Sequence, residues 1–318
     1  MKKYTQVLLV FVLIMIFNGC LQKEFKLNAK AECSKYGWFP TEFGLKDHSV
    51  FIYHGDYFVV SMFLPGEKKF AYGKSSNLCA WNDLSPVLGI EKSGDWDDLA
   101  IWSPSVLFQD GVYYLFYTGV NKNYVQSILL ATTIDPADPT SWVKEGLVFQ
   151  PDHPGMDWEE GAWSDCRDPH VIKTNDGYYL FYTGRDESGA IIGLAKSQDL
   201  LGPWEDQGAI IYGTQGALES PAVVYRKGYY YIFYNDTGLG HEVYRVSSNP
   251  RAVWSEARYF SPGWAHEVWF DLHGNFRVSY LTDYTVTIAN MIWDDANDPS
   301  LPYIDGFYFQ VFLPLVEH

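Results

Sequence analysis

Along most of the chain, short runs of apolar residues alternate with polar ones and end at glycine-containing turns, the pattern of half-buried strands joined as hairpins. The unit recurs five times: over residues 47–61 with its turn at Gly55, 102–117 at Gly111, 163–184 at Gly177, 219–234 at Gly228 and 266–280 at Gly274. Each couples a short apolar strand to one rich in aromatic and β-branched side chains, such as Tyr178-Tyr179-Leu180-Phe181-Tyr182. The turn glycines recur about every 55 residues, within the range of propeller repeats. A second motif follows each hairpin, a polar turn leading to a tryptophan, at Trp81, Trp142, Trp204 and Trp254. Its fifth copy, over residues 290–295, is the weakest. Each second motif reads as a third strand, a turn and a fourth strand entered at the tryptophan. Four strands in each of five units predict an all-β fold, a five-bladed β-propeller. Single hairpins of this kind also occur in β-sandwiches, but five matched pairs of motifs favour the propeller. Residues 307–312 form an apolar strand without a nearby hairpin partner and are expected to help close the ring. No linker rich in Pro, Gly or Ser interrupts residues 36–318, which are read as one domain.

The N-terminus follows other rules. Lys2 and Lys3 precede an apolar run over residues 7–17, too short for a comfortable membrane span, and Asn18-Gly19-Cys20 follow. This resembles a bacterial lipoprotein signal over residues 1–20, which implies cleavage before Cys20, a lipid on that cysteine and a polar tether over residues 21–35. Phe17 departs from the usual Leu, and an uncleaved anchor is the alternative. Either reading takes the protein out of the cytoplasm, to the cell envelope. Cys33, Cys79 and Cys166 remain, an odd number that leaves at least one free thiol. Spacing does not choose among the pairings; Cys33–Cys79 is the expectation adopted. No C-x-x-C spacing suggests zinc.

Composition narrows the function. The 318 residues are 47% hydrophobic and 18% aromatic, which suits a folded domain with a large core. A formal charge of −16 argues against a nucleic-acid partner, since phosphate binding needs Lys and Arg to displace counterions. A neutral ligand stays compatible.

In a propeller the first strand of each blade lines the central channel, so the residues heading those strands gather at one mouth. The heads are Asp47, Trp102-Ser103, Asp168, Glu219 and His266. Asp at a hairpin opening is unremarkable, but three convergent acids are costly to hold together. Such a cluster suits glycoside hydrolysis, which needs one protonated carboxyl to donate to the leaving oxygen and one ionised carboxylate as base or nucleophile. Neighbouring carboxylates push one another's pKa values apart and so divide those roles.

At Lys46-Asp47-His48, Arg167-Asp168-Pro169 and Glu219-Ser220-Pro221 the chain resembles the five-bladed propeller glycosidases of glycoside hydrolase families 43, 62, 32 and 68, and family 43 above all. The resemblance implies that Asp47 is the general base, that Asp168 orients the acid and raises its pKa, and that Glu219 is the general acid. It implies single displacement with inversion on arabinofuranoside or xyloside linkages of poly- or oligosaccharides. Asp47 is followed by His rather than the usual Pro. In families 32 and 68 the first Asp is a nucleophile, which keeps open a retaining fructan or furanoside hydrolase; a carbohydrate-binding lipoprotein without turnover and a phosphorylase are further alternatives. Family 43 members often have a channel His that helps to hold calcium through water, so His266 is a possible ligand. A lone His is poor evidence for a hard cation, and a metal-free hydrogen bond to a channel carboxylate is the favoured reading; no cofactor is required. Sugars stack on aromatic faces, which makes Trp102, Trp163 and Trp264 candidate subsite walls, while Trp81, Trp142, Trp204 and Trp254 are structural. Arg167, Arg185 and His48 are candidate sugar contacts, and Asp165 is read as a turn former. Sugar and linkage specificity is expected to rest on loops over residues 152–161 and 237–242.

Overall fold

The computed structural model describes residues 36–295 and 298–305. Among these, every regular element is a strand, and the strands form five antiparallel sheets. After β1 (Gly37–Trp38), blade one runs β2 (Gly44–Tyr53), β3 (Asp56–Leu64), β4 (Phe70–Ser75) and β5 (Asn82–Val87). Blade two is β6 (Ala100–Gln109), β7 (Val112–Val120), β8 (Gln126–Thr133) and β9 (Val143–Phe149). Blade three is β10 (Cys166–Thr174), β11 (Gly177–Asp186), β12 (Gly189–Ser197) and β13 (Glu205–Tyr212). Blade four is β14 (Leu218–Arg226), β15 (Tyr229–Asp236), β16 (His241–Ser247) and β17 (Arg258–Ser261). Blade five takes β18 (Trp264–Phe270), β19 (Phe276–Thr282) and β20 (Thr285–Asp294). This is the five-bladed propeller that the repeats predict.

The turns explain the hairpin regularity. His54-Gly55, Asp110-Gly111 and Lys227-Gly228 all have positive φ at both positions, the backbone of the tight turn whose twist matches paired strands. Trp81, Trp142 and Trp204 each stand one residue before the fourth strand, packed against the core.

Each strand of a blade interior is apolar on both faces because each sheet is covered on both sides. Five apolar clusters fill the five interfaces between blades. Successive residues of one strand serve different interfaces: Leu115 and Tyr117 pack toward blade one, and Phe116 packs toward blade three. The near-continuous runs such as Tyr113-Tyr114-Leu115-Phe116-Tyr117 follow from that two-sided burial.

The ring closes in blade five. The outer edge of β20 is shared: β1 pairs with it through Gly37↔Thr287 and Trp38↔Val286, and β21 (Asp298–Ile304) pairs further along through Met291↔Ile304. The closing blade therefore takes strands from both sides of the chain, but its N-terminal strand is Gly37–Trp38. The strand expected over residues 307–312 lies outside the described residues. Trp38 serves two blades. Its backbone belongs to blade five, while its indole lies against Gly73 and donates to Asp83 Oδ1 at 2.6 Å in blade one.

Cys79 is disulfide-bonded and Cys166 is a buried free thiol. Cys33, the targeting segment with Cys20, and the tether lie outside the described residues.

Candidate active site

All five inner strands carry one extra residue at the same height. The register steps from Lys46 to His48, Trp102 to Ser105, Arg167 to His170, Glu219 to Ala222 and Trp264 to Glu267, each gaining one residue on its partner. At four of these bulges a non-glycine residue is left-handed: Ser103, Asp168, Ser220 and Ala265, with φ between 43° and 56°. Such backbone costs about 1–3 kcal/mol per residue and persists where the surroundings over-determine it. Three of the four precede proline, which has no N–H to give to the ladder.

The bulges build two rings. Lys46, Trp102, Arg167, Glu219 and Trp264 form the outer ring, and Asp47, Ser103, Asp168, Ser220 and Ala265 form the inner one. Both line a single cavity of about 300 Å³ at the mouth of the channel. Glu219 thus stands one ring above Asp47 and Asp168, although the sequence repeat makes the three equivalent heads.

Asp47 is held between two hydroxyls. Ser220 Oγ donates to its Oδ1 at 3.1 Å, and Ser103 Oγ lies 3.0 Å from its Oδ2. Burial foremost, then the charge of Asp168, raises its pKa from 3.8 to about 7 against the lowering effect of the two serines; Glu219 adds a smaller push. Asp168 is tied down more heavily. Ser103 Oγ lies 2.6 Å from its Oδ1, its Oδ2 accepts from Thr183 Oγ1 and the Ser220 amide at 3.0 Å each, and its own amide donates to Thr118.

Arg167 is the counter-charge. Its Nη2 donates to Glu219 Oε1 at 2.8 Å, its Nη1 to Asp165 Oδ1 at 2.6 Å, and its Nε is 3.7 Å from Asp168 Oδ2. Burial opposes the guanidinium charge, but Asp168, Asp165 and Glu219 outweigh it and raise the pKa above its usual value. Asp165 is no simple turn former. It is buried and gathers Trp163 Nε1 at 3.1 Å, Arg185 Nε at 3.4 Å, Gln126 and Arg167, which makes it the anchor of this corner.

Glu67 went unnoticed in the sequence. It enters from the β3–β4 turn with φ 53°, accepts from Trp102 Nε1 at 2.7 Å and faces Lys46 Nζ at 3.4 Å. Four carboxylates therefore line the cavity against two cations. No motif surrounds Glu67; only the shared register of adjacent blades brings it to the mouth.

Other expected contacts lie elsewhere. His48 points inward beneath the mouth, buried, with Nε2 2.7 Å from Ser279 Oγ; burial and then His266 lower its pKa to about 3. It does not line the cavity, because the single-residue step after Asp47 sends its side chain to the next level. His266 is buried between blades four and five, with Nε2 2.6 Å from Ser261 Oγ and Nδ1 3.3 Å from Glu242 Oε2, its ring stacked on Tyr280. Its two nitrogens thus stand against Ser261 and Glu242 of blade four. Among the described residues no group of three or more His, Cys, Asp or Glu is arranged to hold a metal ion. Trp163 and Arg185 stand outside the cavity wall, joined to it through Asp165. Trp102, Arg167 and Trp264 are on the wall.

Strand heads that converge on one cavity bring together carboxylates of the kind that acid and base chemistry at a glycosidic bond requires. The family model "Glycosyl hydrolases family 43" matches residues 41–262, and the chain belongs to that family. Among solved structures, a thermostable family-43 glycoside hydrolase superposes with a TM-score of 0.68 at 19% identity, covering 83% of this chain and 94% of the other. The chain is 25% identical over 138 residues to a 1,2-beta-oligomannan phosphorylase of Thermoanaerobacter sp. (40% of this chain, 43% of the relative). It is 29% identical over 161 residues to an arabinan endo-1,5-alpha-L-arabinosidase A of Aspergillus niger (46% and 45%). The matches span less than half the length of these relatives.

Proposed function

We propose that the protein hydrolyses glycosidic bonds of neutral poly- or oligosaccharides by single displacement with inversion, with arabinofuranosides and xylosides as the first linkages to try. The convergence of Asp47, Asp168 and Glu219 on one cavity carries this reading. In the proposed step Asp47, ionised, takes a proton from water as the water oxygen bonds to the anomeric carbon. The bond to the leaving oxygen breaks, and Glu219 gives that oxygen its proton. Glu219 has to enter this step protonated, so its contact with Arg167 must part once sugar fills the cavity. Asp168, immobilised by Ser103, Thr183 and the Ser220 amide, keeps Ser220 and Arg167 aligned with both reacting carboxyls.

The likeness to a phosphorylase supports a second reading, in which phosphate replaces water. The charge pattern argues against it: Lys46 faces Glu67, and Arg167 already serves three carboxylates. An incoming phosphate would meet more negative than positive groups.

The test is to follow reducing ends with linear α-1,5-arabinan, β-1,4-xylan and the 4-nitrophenyl α-L-arabinofuranoside and β-D-xyloside, with and without inorganic phosphate. Proton NMR then gives the anomer released first. Hydrolysis with inversion and no stimulation by phosphate is expected. Sugar phosphates among the products would favour the second reading, and retained configuration would make Asp47 a nucleophile. Export and attachment through a lipid on Cys20 are proposed on the strength of Lys2, Lys3 and the apolar run before it. Loss of radiolabelled palmitate from Cys20→Ala cells is the check.

A further inference from the structure

Two exposed aromatic pairs flank the mouth. Tyr124 and Trp163 stack with centroids 5.6 Å apart and planes at 23°, and they are 49% and 60% exposed. Trp264 and Tyr284 meet at 6.0 Å with 39% and 50% exposure. The first pair stands at the junction of blades two and three, where Tyr124 comes from the β7–β8 turn and Trp163 from the segment before β10. The second pair belongs to blade five. Blade five packs between blades four and one, so in a five-membered ring the junction of blades two and three is directly across the pore from it.

The first pair is rigid. Trp163 is fixed by its indole bond to Asp165, and Tyr124 sits at φ 62° in a turn closed by its amide to Asn121 O at 2.8 Å. Val125 and Ser164 bridge the two segments behind the rings. Single exposed aromatics are ordinary, and Tyr212 and Tyr229 are such cases; an exposed pair of rings in contact beside a cavity is the kind of patch that marks a binding surface. A left-handed tyrosine adds strain that packing does not reward here, since the ring is half in solvent. Rings already locked lose little freedom on binding.

We infer that the two pairs are outer subsites of a groove that carries an extended neutral glycan across the mouth, so that cleavage falls inside a chain rather than at a single terminal sugar. This rests on the glycoside hydrolase reading above and adds to it a substrate class, the internal segment of a polysaccharide. The sugar rings present apolar faces, and the aromatic pairs supply matching flat surfaces on opposite sides of the reacting carboxyls.

The experiment compares wild type, Tyr124→Ala/Trp163→Ala and Tyr284→Ala on whichever of linear arabinan or xylan is cleaved, against the corresponding 4-nitrophenyl glycoside. For each of these two variants the ratio of kcat/KM on polymer to that on aryl glycoside is expected to fall about tenfold or more, as for loss of one well-buried apolar contact. Tyr229→Ala, an exposed tyrosine at the far end of blade four, leaves the ratio unchanged. Equal losses on both substrates, or no change of ratio, overturn the inference. Electrophoresis through gels containing each polymer reads binding without turnover. If the wild type cleaves nothing, the hydrolase reading fails; retardation that disappears in Tyr124→Ala/Trp163→Ala still supports the groove, and unaltered or absent retardation overturns it.

Discussion

The hydroxyl of Ser103 lies 2.6 Å from Asp168 Oδ1, and its other near neighbour is Asp47 Oδ2 at 3.0 Å. One hydroxyl has one proton and donates to one of them. With both carboxylates ionised they compete for that proton, and whichever is left out faces a lone pair. Ser103 therefore cannot satisfy both acids at once, and a proton taken from solvent by Asp47 relieves the conflict. As pH falls through about 7, Asp47 takes that proton and is lost as a base. Activity should rise as pH increases through this range, and Ser103→Ala, which removes a bond that lowers the pKa of Asp47, should move the rise to higher pH. A pH profile of kcat/KM on an aryl glycoside checks both.

The same buried carboxyl affects stability. Asp47 binds its proton more tightly when folded, at about 7, than when unfolded, near 3.8, so its contribution to stability is lost as pH rises between those values. Asp47→Asn removes this loss. At pH 8 the variant should be more stable by on the order of 4 kcal/mol, and below pH 4 it should match the wild type. Thermal melts at the two pH values are the measurement.

Glu219→Gln should cut kcat about 10²–10⁴-fold on a natural glycan, as expected for loss of a general acid. The loss should be far smaller on an aryl glycoside, whose leaving group departs without a proton. A uniform loss on both substrates would mean that Glu219 is not the acid.

Asp165→Asn should weaken the hold on Arg167 and lower kcat about tenfold or more while the fold survives, since charge-assisted bonds are about twice as strong as neutral ones. Restoration by Glu is not expected, because the longer side chain cannot keep Trp163, Arg167 and Arg185 in their present positions. Circular dichroism alongside turnover separates the effect from unfolding.

Trp38→Ala removes a buried indole that spans blades one and five. A loss of about 3–5 kcal/mol is expected from the cavity alone, read by urea denaturation.

The blades were legible because the hairpin signal is local. Gly55, Gly111 and Gly228 announce their turns, and Trp81, Trp142 and Trp204 mark where fourth strands begin. The convergence of Asp47, Asp168 and Glu219 on one mouth could also be anticipated, since inner strands share a channel. The height of each residue could not. One extra residue per inner strand decides that Glu219 is level with Arg167 and Trp102, and that His266 turns into the interface with blade four. Proline marks the bulges at Ser103, Asp168 and Ser220, but nothing local marks those at Asp47 and Ala265. Glu67 and Asp165 were missed or misread for a related reason: their partners, Trp102 and Arg185, are assembled by packing between strands.

Closure through β1 has a consequence in time. Gly37 and Trp38 are made before every other strand of the ring, yet their partners Thr287 and Val286 follow about 250 residues later, a separation that makes for slow contact formation. Until β20 exists, the backbone of Gly37 and Trp38 has no strand to pair with, although the Trp38 indole already has Asp83 in blade one to bond. The earliest residues of the domain are thus among the last to settle, and the ring stays open for nearly the whole of its synthesis.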